Sequence, residues 1–110
     1  FKRAVTDSDG EVRYDLDAKP GVSNLLNILA AVTGGDPEAL AANYTQYGPL
    51  KQDAAAAVIE HVVPIQQRYA ELVADPAELT RILDIGGEKA RSIASGVIAR
   101  AEAAIGLGNH

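Results

Sequence analysis

The chain has 110 residues, 47% of them hydrophobic, which suits one compact domain large enough to bury its own core. It contains no cysteine, which excludes a disulfide framework, a thiolate metal site and a cysteine nucleophile. Its formal net charge of -5 at pH 7 argues against non-specific binding of polyanions, so any contact with nucleic acid needs a local basic patch.

The sequence also bears on membrane association and on completeness. No uninterrupted apolar run approaches the roughly 18 residues that a membrane span needs, and no signal-like segment opens the chain. We therefore expect a soluble protein without a membrane partner. The chain begins Phe1-Lys2-Arg3 and contains no methionine. Because an open reading frame starts with methionine, we expect this sequence to be a piece of a longer protein.

The first part of the chain is predicted to be mostly extended. Residues 1–5 have the composition of the tail of a helix, and a polar, turn-rich stretch follows them. Apolar residues alternate at strand period between Val12 and Leu16, but a lone short strand has no partner with which to pair. We therefore expect this stretch to be an extended segment packed on the rest of the protein.

Everything after Pro20 is predicted to be helix and short loop. Ser23 is a good N-cap for a first helix, and Gly34 suits its C-terminal cap. Asp36 starts a short second helix, because it supplies a capping acceptor and is followed by a proline that is preorganised for the first helical turn.

A long third helix is predicted from Leu50 to Ala74, where apolar residues recur at spacings of three or four. Pro64 lies inside this helix. Proline removes one backbone donor and clashes with the preceding turn, so we expect a kink at this position rather than a clean stop.

Two further helices complete the predicted fold. Asp75 caps a helix that runs from Pro76 to Asp84, and the Gly86-Gly87 pair separates it from a last helix over residues 88–105. The predicted fold class is therefore all-α: a bundle of about five helices, one of them long and kinked, preceded by an extended linker segment.

The Asp-Ser-Asp-Gly turn at residues 7–10 invites comparison with a calcium-binding loop, but its register fails. With Gly10 at the invariant glycine position, the first ligand and the bidentate acid would be Val5 and Leu16, and neither carries a carboxylate. A solvated Asp-Gly turn is the simpler interpretation. We predict no metal site.

No other pattern points to catalysis. Gly86 and Gly87 follow no strand and belong to no phosphate-loop motif, so a helix break is the simpler interpretation. His61 has no second ligand at metal spacing and is expected to be a partly buried structural residue. The chain offers no Ser-His-Asp arrangement, and we predict no catalytic residue in it.

Basic side chains on the last two predicted helices are candidates for binding. Arg91 and Arg100, nine positions apart, are expected to share roughly one face, with Lys89 on the same helix. Arg81 is expected to join them across the glycine pair. The ordinary alternative is a solvated face on which acidic neighbours form weak ion pairs with these cations.

Two tyrosines are candidates for aromatic contact with RNA. Tyr44 and Tyr47 flank a polar Thr-Gln pair in a predicted loop, where their rings could stack on unpaired bases. The alternative is that both rings are loop anchors packed on the core.

Four stretches occur in an order that resembles the C-terminal portion of bacterial tryptophanyl-tRNA synthetase. They are "KRAVTDSDGEVRYD", "KPGVSNLLNILAAVTGGDPEAL", "VVPIQQRYAEL" and "GGEKARSIA". The resemblance covers the chain from Lys2 to about Leu107, and the ordered set with its spacings is more specific than any one motif. The equivalent part of the related tyrosyl enzyme is a less similar alternative.

The resemblance implies a parent enzyme, a tryptophan–tRNA ligase that uses ATP and Mg²⁺ to attach tryptophan to tRNA-Trp in the cytoplasm. In that family an N-terminal Rossmann-type catalytic domain carries the ATP-binding signatures and makes most of the homodimer contact. A C-terminal helical domain binds the tRNA anticodon. Neither ATP signature occurs here, so we expect a catalytically inactive fragment that holds no cofactor and that could be monomeric.

The resemblance divides the chain into a segment over residues 1–22, the linker and tail of the missing catalytic domain, and a helical anticodon-binding domain over residues 23–110. It implies no catalytic residue here. The choice of tRNA-binding residues rests on charge, helical geometry and aromatic character alone. These residues are Arg81, Lys89, Arg91, Arg100, Tyr44 and Tyr47.

Two questions stay open at this point. The alternative function is a stand-alone helical module that binds another protein through an apolar face and has no RNA role. The sequence also does not decide whether the terminal Gly108-Asn109-His110 is native or belongs to a tag.

Overall fold

The structure is a computed structural model that describes residues 1–107, over which all regular secondary structure is α-helical. The all-α prediction is confirmed, with four helices in this range where about five were expected. No helix in the described part of the chain is long and apolar enough to cross a membrane. Gly108, Asn109 and His110 lie outside the described residues. The helices are α1 (Pro20–Thr33), α2 (Pro37–Ala41), α3 (Tyr47–Ala74) and α4 (Pro76–Ala104).

The first helix begins earlier than predicted and ends where predicted. α1 starts at Pro20, which suits the first turn because proline has no N–H to leave unpaired there. Ser23 is therefore not the N-cap. It is buried inside α1, where its hydroxyl oxygen accepts a 2.9 Å hydrogen bond from the backbone N–H of Asp15. Gly34 adopts a φ of 78° and its N–H donates to the carbonyl of Ala30, which confirms the predicted C-terminal cap.

Both aspartates that were predicted to start helices do so. A carboxylate oxygen of Asp36 accepts a 2.9 Å bond from the N–H of Ala39, and Asp75 accepts a 3.1 Å bond from the N–H of Glu78. In each case the acceptor satisfies one of the N–H groups that the first helical turn leaves unpaired. α3 also continues through Pro64, so the expectation that this proline does not stop the helix is confirmed.

The predicted break at Gly86-Gly87 is wrong, because α4 runs through both glycines without interruption. Neither glycine takes a positive φ. Each costs about 1 kcal/mol of helix propensity relative to alanine, which strong helix formers on either side can offset. The stretch from Glu88 to Arg91 consists of such residues. Gly106, with a φ of 78°, follows the end of the helix as expected.

Residues 1–5 form a turn rather than the tail of a helix. The N–H of Ala4 donates a 2.9 Å bond to the carbonyl of Phe1. The carbonyl of Ala4 in turn accepts a 2.7 Å bond from the ammonium of Lys51 on α3. The beginning of the chain is therefore attached to a helix that lies almost fifty residues later.

Residues 1–67 form one compact unit with its core on α1, and a second unit begins at Arg68. The extended stretch packs on this core through Val12 and Tyr14, as predicted. The α4 helix has no buried residue. The division into a linker over residues 1–22 and a helical domain over residues 23–110 stays a prediction. The buried core of the first unit consists of Val22, Leu25, Leu26, Leu29, Ala41 and Leu50.

Candidate nucleic-acid interface

Tyr44 lies in the loop between α2 and α3 and is half-buried against the core of the first unit. Its hydroxyl donates a 2.7 Å hydrogen bond to a carboxylate oxygen of Asp53 on α3. Burial, together with this bond and the negative charge of Asp53, raises the pKa of Tyr44 to about 12. Its hydroxyl is thus committed to the protein, which leaves the exposed part of the ring for contact with a base.

Tyr47 is the first residue of α3 and is also half-buried against the core. Its hydroxyl donates to the carboxylate of Asp7 and lies 3.0 Å from a carboxylate oxygen of Asp9. Burial is the largest cause that raises the pKa of this hydroxyl, followed by the hydrogen bond to Asp7. The contacts of Tyr47, like those of Tyr44, match the alternative that the ring anchors the loop on the core. A role of Tyr47 in RNA binding stays a prediction.

Lys19 is the buried centre of a polar cluster that it forms with these groups. It is the N-cap residue of α1 and only 1% exposed. Its ammonium bonds to Asp9, lies 3.2 Å from Asp7 and 3.2 Å from the hydroxyl of Tyr47, and sits 5.8 Å from the centroid of that ring. We call these four residues the Lys19 cluster. It joins the 7–10 turn to the beginnings of α1 and α3.

Interactions within the Lys19 cluster favour the ionised forms of Asp7, Asp9 and Lys19. The hydrogen bond to Lys19 is the main cause that lowers the pKa of Asp9. The hydrogen bond from Tyr47 has the largest effect on the pKa of Asp7 and lowers it, against a smaller opposing effect of burial. Burial by itself lowers the pKa of Lys19, but its bonds to the two carboxylates and to Tyr47 together outweigh burial and raise it.

Sequence reasoning missed the Lys19 cluster and treated the 7–10 turn as solvated. The available signal was weak. Asp7 and Asp9 stand about ten residues before Lys19, and Lys19 directly precedes the Pro-Gly pair at the start of a helix. Nothing in that spacing distinguishes a buried lysine from an exposed one. The contact with Tyr47 spans 28 residues and depends on the tertiary fold.

His61 was expected to be partly buried and is exposed. It lies on α3 eleven residues after the buried Leu50, on nearly the same side of the helix. That side loses its cover because α1 ends at Thr33, which lines a cavity of about 350 Å³ together with His61. The periodicity indicated the correct face but not the length of the helix that covers it.

Two of the four candidate cations on α4 are paired with glutamates. The guanidinium of Arg81 donates two 2.7 Å hydrogen bonds to the carboxylate of Glu78, and that of Arg91 donates one of 2.7 Å to Glu88. Within residues 1–107, neither Lys89 nor Arg100 takes part in an ion pair or a side-chain hydrogen bond.

The helical geometry of α4 corrects the expected arrangement of these cations. An α-helix turns about 100° per residue, so nine residues amount to two and a half turns and put Arg91 and Arg100 on opposite sides. The expectation that they share a face is wrong. Lys89 and Arg100, eleven residues apart, differ by about 20° and are separated by about 16.5 Å along the helix axis. Lys89 is the cation that shares a face with Arg100.

Comparison with known proteins places these features in context. A family model described as tRNA synthetases class I (W and Y) matches residues 1–63. The tryptophan–tRNA ligase 1 of Streptomyces avermitilis is 50% identical over 105 residues, which make up 96% of this chain and 32% of that protein. The tryptophan–tRNA ligases of Mycobacterium leprae and Bacillus subtilis are 49% and 46% identical, over 91% and 98% of this chain and 30% and 33% of their own lengths. The chain thus spans about a third of the length of the curated relatives it matches.

Proposed function

The chain belongs to the class I tRNA synthetases of the tryptophan and tyrosine type, and we propose from this that it is the helical tRNA-binding part of a tryptophan–tRNA ligase. The observation that carries the proposal is identity of 46–50% to tryptophan–tRNA ligases over nearly the whole chain. The partner that we propose is tRNA-Trp, bound at the anticodon.

Catalysis and cofactors are assigned to the parent enzyme rather than to this chain. The parent reaction attaches tryptophan to tRNA-Trp with ATP and Mg²⁺, and we place that chemistry in an N-terminal Rossmann-type domain of the same protein. We also propose the cytoplasm as its location and a homodimer as its assembly. Transfer of tryptophan to tRNA by the 110-residue chain alone would contradict the assignment of catalysis to a separate domain.

The candidate cations of α4 differ in whether they are already paired with a carboxylate of the protein. Unpaired anticodon bases can stack on aromatic rings and accept hydrogen bonds from arginine, while phosphates attract any accessible cation. Lys89 and Arg100 are exposed and have no ion pair within the described chain, so they can contact RNA without losing a protein partner. Arg81 and Arg91 first have to release Glu78 and Glu88.

The proposal is tested by titrating the chain with the anticodon stem-loop of tRNA-Trp and following fluorescence anisotropy of the labelled RNA. The control RNA has the same stem and a changed anticodon. We expect tighter binding of the cognate loop at moderate salt, with weak absolute affinity because the net charge of the chain is -5. Equal binding of both loops would remove base reading from the proposed function, and no binding of either would reject it.

One observation favours the alternative, a module that binds another protein. α4 exposes large apolar side chains, among them Leu83 at 64% and Ile93 at 63%. Exposed apolar surface of this kind is typical of interfaces between proteins when it is contiguous. Failure of both RNA loops to bind, with the helical content of the chain intact by circular dichroism, would favour this alternative.

A further inference from the structure

We propose that Lys89 and Arg100 form a stripe on α4 that holds RNA by its phosphates and reads no base. The inference rests on the proposed function, since it assumes that the chain binds tRNA. It goes further by stating which chemical group of the RNA this helix contacts and which cations do so.

Lys89 and Arg100 differ from the other two cations of α4 because they have no ion-pair partner in the described chain. Arg81 and Arg91 each donate to a glutamate three residues earlier on the same helix. Lys89 and Arg100 have no carboxylate within ion-pair distance in the described chain, and both side chains are exposed. A phosphate that approaches them does not have to displace a carboxylate partner.

The face that carries these two cations also carries no acid between them. At about 100° per residue, Asp84, Glu88 and Glu102 all lie 100° or more around the helix from both Lys89 and Arg100. Glu78, closer in angle, is about 16.5 Å away from Lys89 along the axis and is bonded to Arg81. This separation produces a local positive stripe on a chain whose net charge is negative.

The surface between the two cations is small and mostly apolar. Ile93 and Gly96 lie nearest the line between them, with Val97 at one edge and Ser92 at the same angle on the other edge. A Cβ atom added at Gly96 would meet nothing within 4 Å, so the helix backbone is open there to a close approach. Of these four positions, only Ser92 at the edge carries a side-chain hydrogen-bonding group, so the centre of the surface offers none with which to recognise the edge of a base.

The spacing fits contacts with separate phosphates. In duplex DNA the phosphates of one strand follow one another at about 3.4 Å of helix axis, and on that scale about 16.5 Å spans several nucleotides. The Lys89 ammonium acts as a point charge and contacts phosphate without selecting a base, and the planar guanidinium of Arg100 fits the oxygens of a phosphate with two parallel hydrogen bonds. Phosphate contacts of this kind position a nucleic acid, whereas sequence is read at the base edges.

The test uses the 110-residue chain with Lys89→Gln, Arg100→Gln and both substitutions together. The dissociation constant for the anticodon stem-loop of tRNA-Trp is measured over a series of salt concentrations, for the cognate and the changed anticodon. Each single substitution is expected to reduce the slope of log K against log salt by about 0.7 to 0.9, the value for one lost phosphate contact. The loss of affinity is expected to be the same for both loops.

Arg68→Gln is the matched control, because it removes the same charge from an exposed arginine of α3 that is paired with Glu71 and is not among the candidate RNA-binding residues. We expect it to leave the salt slope unchanged. Circular dichroism of each variant verifies that α4 is intact.

The outcomes separate this inference from the proposed function. If the wild-type chain prefers the cognate loop but the slopes of the Lys89 and Arg100 variants equal the wild-type slope, the stripe is wrong and the proposed function stands. A change in the ratio of cognate to changed binding in these variants would show that the residues read bases, which also overturns the inference. If the wild-type chain binds neither loop, both are rejected.

Discussion

The ammonium of Lys19 lies 3.2 Å from the hydroxyl oxygen of Tyr47, a residue 28 positions later that begins α3. Asp7 and Asp9 bind both groups, so one buried cation connects three segments that are distant in the sequence. A buried charge is tolerated when it is paired and hydrogen-bonded, and removing one partner leaves the remaining charges without compensation.

Lys19→Met is therefore expected to lower the midpoint of thermal unfolding, because it leaves two carboxylates facing an apolar side chain. Tyr47→Phe keeps the ring and removes only a neutral hydroxyl, so its effect should be smaller in the same direction. Lys2→Met, at an exposed lysine, is the matched control and should leave the midpoint unchanged. Equal midpoints for Lys19→Met and Lys2→Met would contradict the role of the cluster.

The same cluster predicts a loss of stability in acid. Asp7 and Asp9 have lowered pKa values in the folded chain, so the unfolded chain binds protons more readily than the folded one. Their contribution is fully present above the ordinary aspartate pKa of about 3.9 and is lost as the pH falls below it. Urea unfolding between pH 7 and pH 2 is the measurement. Asp9→Asn should flatten this pH dependence.

Stability should also fall in alkali, with the opposite sign of proton linkage. The pKa values of Lys19 and Tyr47 are raised in the folded chain, which therefore holds these protons more tightly than the unfolded chain does. Their contribution is complete below the ordinary pKa values of about 10 and decreases as the pH rises above them. Tyr47→Phe should weaken this alkaline decline, and an unchanged decline would contradict the assignment.

The packing of α3 in the core is tested by making the same leucine-to-alanine substitution at a buried and at an exposed position. Leu50 is 0% exposed and packs in the core of the first unit, so Leu50→Ala is expected to cost about 2–5 kcal/mol of unfolding free energy. Leu83 is 64% exposed on α4, and Leu83→Ala should change stability by no more than about 0.5 kcal/mol. Urea denaturation followed by circular dichroism measures both. Similar losses for the two would show that α4 is covered in solution.

A glycine at the start of α1 marks a close backbone crossing. A Cβ atom at Gly21 would overlap the carbonyl oxygen of Val5, and backbone atoms cannot move aside as a flexible side chain can. Gly21→Ala is therefore expected to destabilise the chain by about 1–3 kcal/mol. The control, Gly96→Ala, meets nothing within 4 Å and lies inside α4, so it should raise helix stability by up to about 1 kcal/mol. Thermal melts of the two variants should move in opposite directions.

The parts of the fold that depend on local chemistry were predictable from the sequence. Asp36 and Asp75 cap their helices with their own side chains, and Gly34 takes a backbone conformation that favours glycine. Each of these signals acts within four residues. The resemblance to tryptophanyl-tRNA synthetases, which depends on the order of four stretches, is likewise confirmed by the family match and by the relatives.

The errors arose where the outcome depends on context beyond one turn. The sequence predicts a break at the Gly86-Gly87 pair, but α4 continues through it. The burial of Lys19 could not be predicted, because its partners come from two distant segments, the 7–10 turn and the start of α3. For the candidate interface, charge alone could not show that Arg91 is paired with Glu88, and a spacing of nine was wrongly read as one face.

The continuity of α4 has a consequence for how this region can change in length. Twenty-nine residues without a break form a rod of about 43 Å in which each position has a defined rotational phase. Inserting a single residue between Lys89 and Arg100 turns one against the other by about 100°, whereas inserting seven returns them to within about 20° of their present phase. The register of this surface is thus set by the length of the helix, and length changes here are tolerated in steps of whole turns.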